Sequence, residues 1–144
     1  MRIFLMTAMV IIMIGLAACS GDKLPEDKQH TVDQAVKSGV YWLQLIDAGE
    51  YDSSWVEASP IFRAAVTQER WSGQMQAIRQ PMGAVKSRKV KSTQYRTEMP
   101  GAPDGEYVII QFETGFEHKK SAVETLTPAR DEQGEWRVSG YYIK

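Results

Sequence analysis

The spacing of apolar residues changes once along this chain, near residue 83. Before that point Val32, Ala35, Val36, Gly39, Val40, Leu43 and Ile46 recur at intervals of three and four, the repeat of one helix face. Thr31 and Gln34 fit a capping box at the start of this helix, and Gly49 fits its C-terminal stop. A second, short helix is expected over 52–58, with Tyr51, Trp55 and Ala58 on one side and Pro60 ending it. Ile61 to Val66 reads as an apolar connector. Thr67 caps a third helix in which Trp71, Met75 and Ile78 share a face, and Pro81 and Gly83 terminate it.

After residue 83 the period is two. Val85 to Met99, rich in Lys, Ser, Thr and Tyr, reads as a long and partly exposed strand, and residues 100–105 as a turn dense in Pro and Gly. Glu106 to Phe116 alternates: Val108, Ile110, Phe112, Thr114 and Phe116 fall on one face, Tyr107, Ile109, Gln111 and Glu113 on the other. Ser121 to Arg130 and Trp136 to Ile143 are the third and fourth strands, the last with Trp136, Val138, Gly140 and Tyr142 in phase. Helices followed by hairpin-linked strands make an α+β domain. About three N-terminal helices on a curved four-stranded antiparallel sheet are expected, as in the cystatin-like or nuclear-transport-factor-two-like group. One such domain accounts for residues 31–144 of the 144.

The first 18 residues stand apart from that domain. Met1 and Arg2 are followed by an uncharged run, Ile3 to Ala18, that ends in small residues, the layout of a secretory signal. The run is shorter than the roughly 20 residues a membrane-spanning helix needs. Leu16-Ala17-Ala18-Cys19 resembles the lipobox of bacterial lipoprotein precursors. That resemblance implies cleavage after Ala18, a diacylglyceryl thioether on Cys19, and an acyl chain such as palmitate on the new amine. Two or three chains anchor stably where one does not. Ser20 after the cysteine favours the outer membrane, facing the periplasm. Residues 19–30 then read as the lipidated Cys19 and a polar tether. With its only cysteine consumed, the domain has no disulfide and must rest on its core.

Other stretches are familiar as well. Trp42-Leu43, Ile46 to Tyr51, Ser54-Trp55, Phe62 to Val66, Pro81-Met82-Gly83, Ser87-Arg88, Pro100 to Tyr107, Lys119 to Thr125 and Trp136 to Tyr141 together resemble a bacterial family known as domain of unknown function 4019. The resemblance implies exported or lipid-anchored proteins and no particular reaction.

Reactive constellations are sparse. There is no Walker loop, dinucleotide fingerprint, serine elbow or HExxH. A net charge of -1 gives no basic footprint for nucleic acid, and two histidines, His30 and His118, are too few for a histidine-rich metal site. No cofactor and no metal is expected. His118 lies in a charged turn and His30 in the tether or at the helix start, both solvated. Glu124 is the one weak catalytic candidate, because it is in phase with Ala122 and Leu126 on an apolar strand face. A buried acid can serve as a general base. It can also be an ion pair, for which Arg137 is the first expected partner and Lys120 the second. Asp47 and Glu50 read as helix-end and turn acids, Glu113 as facing water, and Lys86, Arg88, Lys89 and Lys91 as a solvated strand face; the alternatives for that set are contact with anionic lipid heads, contact with a partner, or the blunting of an edge strand. The leading expectation is a noncatalytic envelope lipoprotein whose domain binds a protein partner or small ligand and meets the membrane through Cys19. The alternatives are an enzyme using Glu124 and a tyrosine in a cone-shaped pocket, and an adapter recruited through an exposed strand edge.

Overall fold

A computed structural model describes residues 24–144. The signal sequence, Cys19 and the first part of the tether lie outside the described residues. Helix α1 spans Glu26–Asp47 and begins five residues ahead of Thr31. The capping box does not form: the Thr31 hydroxyl donates to the Asp27 carbonyl at 3.0 Å. Residues 26–30 are therefore helix and not tether. Glu26 and Asp27 in the first turn suit the positive end of the helix dipole. Lys28 fastens that turn to the sheet, with Nζ 4.5 Å from the Tyr95 ring centre and donating to its hydroxyl at 3.3 Å. At the other end Gly49 takes φ 75°, the reversal expected of a stop glycine.

Helices α2 (Tyr51–Glu57), α3 (Pro60–Ala65) and α4 (Gln68–Arg79) follow, then a 3₁₀ turn over Gln80–Met82. Among the described residues four α-helices thus stand where about three were expected. The expected connector is helical because Ser59 accepts from the Phe62 amide at 3.1 Å and Pro60 occupies the first turn. Thr67 caps α4 as expected, accepting from the Arg70 amide. Its buried stripe is Trp71, Met75 and Arg79, while Ile78 is 41% exposed. An arginine takes the inward place assigned to the isoleucine, because a carboxylate on α1 receives it.

Strands β1 (Val85–Arg96), β2 (Tyr107–Phe116), β3 (Ala122–Arg130) and β4 (Trp136–Ile143) form one antiparallel sheet in sequence order. The β2–β3 ladder runs without a register shift, and the sheet is uncurled rather than curved. The shifts fall outside that central pair. Lys86 and Lys91 are surplus in the β1–β2 ladder and Ser139 in the β3–β4 ladder. Each resets the alternation. Arg88 is thereby paired with Thr114, and Tyr141 with Leu126, on the helix-facing side. Tyr142, expected inside, is 50% exposed.

The core lies between α1, α4 and the sheet, with Val32, Leu43, Met75, Ile110, Phe112 and Leu126 fully enclosed. Trp42, Phe62, Trp71 and Tyr141 meet edge to face or tilted, with ring centres 4.8–6.4 Å apart. The indole nitrogens of Trp42 and Trp71 donate to the carbonyl and hydroxyl of Ser54 at 2.7 and 3.0 Å. The two sheet edges are closed differently. Along β4, the carbonyls of Trp136 and Val138 accept from the Ser38 hydroxyl and the Ser59 amide at 2.5 and 2.8 Å. Along β1, the edge carries the two surplus lysines.

Gly39 is where α1 comes closest to the sheet. A Cβ there would sit 2.6 Å from Leu126 Cδ2 and 3.5 Å from Ile110 Cδ1. Gly39→Ala gains about 1 kcal/mol of helix propensity. Crowding a closed core costs about 1–3 kcal/mol. A urea titration is expected to show net destabilisation of about 1 kcal/mol, and a stabilised variant would mean that Leu126 has room to turn away.

Candidate functional site

The resets at Lys86 and Ser139 bring Arg88 and Tyr141 to the helix-facing side of the sheet. Glu124 on β3 is fully buried. Its Oε2 accepts from Arg88 Nε at 2.7 Å and from Thr114 Oγ1 at 2.5 Å. Its Oε1 accepts from the Tyr141 hydroxyl at 2.7 Å and from Arg88 Nη2 at 3.2 Å. The partner is thus Arg88 of β1, and not Arg137 or Lys120. Arg137 stands opposite Ala129, further along β4, and pairs with Asp131 at 3.1 Å. Nor is Arg88 part of a solvated face, since its side chain is only 15% exposed.

Asp47, the last residue of α1, completes the cluster. Arg88 Nη1 and Nη2 donate to its Oδ2 and Oδ1 at 2.6 and 2.9 Å, and Arg79 Nη2 donates to Oδ1 at 2.9 Å. All three nitrogens of the Arg88 guanidinium therefore bind carboxylate oxygen, the fork geometry that lysine lacks. The guanidinium of Arg79 lies 4.9 Å from the Phe116 ring centre. Its Nε and Nη1 have no protein acceptor among the described residues. Two guanidinium and two carboxylate groups balance formally, and this makes their burial tolerable.

Each titration follows from that packing. Burial opposes the Asp47 carboxylate, yet the hydrogen bonds and charge of Arg88 and Arg79 outweigh it and hold its pKa below the ordinary value. Burial alone would lower the pKa of Arg88, but the two carboxylates raise it. Burial pushes the Tyr141 phenol up, and the Glu124 carboxylate adds to the shift. Tyr141 therefore stays a hydrogen-bond donor at neutral pH.

A carboxylate and a phenol do converge here, the pairing expected of a general base and a donor. The rest of that expectation was an apolar cavity beside them. Glu124 instead has four donors on two oxygens and no exposed surface. The other expected residues are scattered. Glu113 pairs with Lys89 at 3.2 Å on the exposed side of the sheet. His118 is exposed in the β2–β3 turn, and His30 is exposed on α1 beside Gln34. Among the described residues no cluster of His, Cys, Asp and Glu could hold a metal ion. Asp47, Arg79 and Tyr141 are members that sequence reading missed. The available signal was Arg79 at the fourth-residue spacing after Met75.

An α+β domain with a closed, ion-paired junction between helices and sheet is what fold and site together define. The chain belongs to the protein family of unknown function DUF4019, whose model matches residues 38–141. The match runs from the middle of α1 into β4 and takes in every member of the buried cluster. No curated protein matches the chain.

Proposed function

We propose that this is a noncatalytic envelope lipoprotein, held at the outer membrane by lipid on Cys19, whose periplasmic domain binds a protein partner. The observation that carries the noncatalytic part is Glu124, enclosed and with its carboxylate oxygens taken up by Arg88, Thr114 and Tyr141. A base so engaged would have to surrender several hydrogen bonds before accepting a proton. With the interior filled, recognition falls to the outer surface. Helices on one face of an antiparallel meander support the cystatin-like or nuclear-transport-factor-two-like likeness as the finer fold.

The anchor part rests on the signal run and Leu16-Ala17-Ala18-Cys19. Among the described residues no helix is long and apolar enough to cross a membrane, so a lipid would be their tie to it. Cys19→Ala should abolish incorporation of labelled palmitate and leave uncleaved precursor. A variant that still takes up label and fractionates as before would remove the lipoprotein reading. Photo-crosslinking from exposed positions in intact envelopes tests the binding part, and the absence of any crosslinked partner would remove it.

A further inference from the structure

We propose that the groove between the start of α3, the β1–β2 loop and the β3–β4 turn docks a basic, apolar-flanked segment of a partner protein. This rests on the partner-binding reading above and gives it a place and a chemistry. The groove has a volume of about 500 Å³, in the range of ligand-binding clefts. Pro60, Ile61, Pro103, Tyr107 and Ala129 line it. Ile61 is 38% exposed, one of the larger apolar side chains left open on this domain.

The charge around that apolar surface is uneven. Arg130 is already spent, on Glu106 at 2.9 Å and on the Gly134 carbonyl at 3.2 Å. Asp131 is spent as well, accepting from the amides of Gln133 and Glu135 and from Arg137. Asp104 and Glu132 also line the groove and have no ion pair among the described residues. The rim therefore presents two uncompensated carboxylates beside an apolar wall. A simple cation would satisfy the carboxylates and leave the wall in water. A peptide with Lys or Arg beside Leu, Val or Pro satisfies both.

The walls are set before anything binds. The Tyr107 hydroxyl donates to the Pro103 carbonyl at 2.6 Å, and the Gly105 amide to the Thr97 carbonyl at 2.9 Å. The Arg130 amide donates to the Glu106 carbonyl and the Asp131 amide to the Glu135 carbonyl, at 2.9 and 2.8 Å. A preformed groove spares the partner the cost of ordering it.

The test uses the full mature chain in lipid nanodiscs against an array of randomised octapeptides. Basic peptides with apolar neighbours should be retained, and more weakly as salt rises. Asp104→Asn with Glu132→Gln should weaken the best of them about fivefold to tenfold, and Ile61→Ser by a similar factor. No retention, retention of acidic peptides equally well, or affinities unchanged in these variants would overturn the proposal. A photo-crosslinker at Ile61, Tyr41 and Val90 in envelopes separates the two levels. Crosslinks from Tyr41 or Val90 but none from Ile61 would remove the groove and keep a partner-binding domain. None from any of the three would remove both.

Discussion

Arg88→Met is expected to destabilise the domain by about 3–5 kcal/mol, the usual cost of breaking one side of a buried ion pair. Methionine fills much of the space but leaves Glu124 enclosed with only Thr114 and Tyr141 as donors. Asp47 would keep Arg79 alone. Lys86→Met, two residues away on the exposed edge, should change stability by less than about 0.5 kcal/mol. Glu124→Gln keeps the shape and removes the charge, so it should cost less, about 1–3 kcal/mol. The double variant should cost less than the sum of the singles. A chevron or urea midpoint within about 1 kcal/mol of wild type for Arg88→Met would show that the cluster is not a structural support. The acid limb gives a second reading. Because the Asp47 pKa is depressed in the fold, its contribution is complete above the ordinary value of about 4 and is lost as pH falls through the lower folded value. Arg88→Met removes the largest of the interactions that lower it and leaves those of Arg79. The stability lost between pH 5 and 2, measured as a change in urea midpoint, should therefore shrink relative to wild type.

Trp42→Ala should cost a similar amount, about 3–5 kcal/mol, through a cavity where three aromatic rings and α2 meet. The indole does two jobs. Its ring contacts Phe62, Trp71 and Tyr141, and its Nε1 supports the Ser54 carbonyl in α2. Trp42→Phe retains part of the first and none of the second, and is expected to cost about 1–3 kcal/mol. Near-ultraviolet circular dichroism should lose its aromatic bands in Trp42→Ala before the far-ultraviolet signal changes. A cooperative melt unchanged from wild type would mean that α2 holds its place without this ring.

Strand order and most element ends were legible because period and punctuation agreed. Val108 to Phe116 alternates without interruption and pairs with β3 without a bulge, so its inward face is read correctly. Gly49, Thr67 and Gly83 mark ends for backbone reasons that any sequence shows. The cluster was legible only in part. Glu124 stands out as an acid in an apolar row. Its partner does not, because two registers lie between the residues. Strict alternation from Val85 would turn Ser87 and Lys89 inward, and only the surplus Lys86 turns Arg88 inward instead. Strict alternation from Trp136 selects Tyr142, and only the surplus Ser139 selects Tyr141. A bulge has no strong sequence mark, so the side chains between one bulge and the next, or the end of the strand, are assigned to the wrong face. The start of α1 failed differently. A good cap at Thr31 was outweighed by helix extension into residues that Lys28 ties to Tyr95.

The unequal closing of the two sheet edges bears on how such molecules behave in a crowd. Under the anchor proposed above, copies would share a surface and meet one another far more often than the same number free in solution. A regular edge strand in that setting is a template onto which the next copy can zip. On the β4 side the Ser38 hydroxyl and the Ser59 amide already occupy the carbonyls of Trp136 and Val138. On the β1 side Lys86 and Lys91 interrupt the ladder and carry like charge. Two side-by-side copies would meet with lysine facing lysine and with hydrogen-bonding groups out of step. The same surplus residue that turns Arg88 into the core thus also works against side-by-side copies growing into a shared sheet.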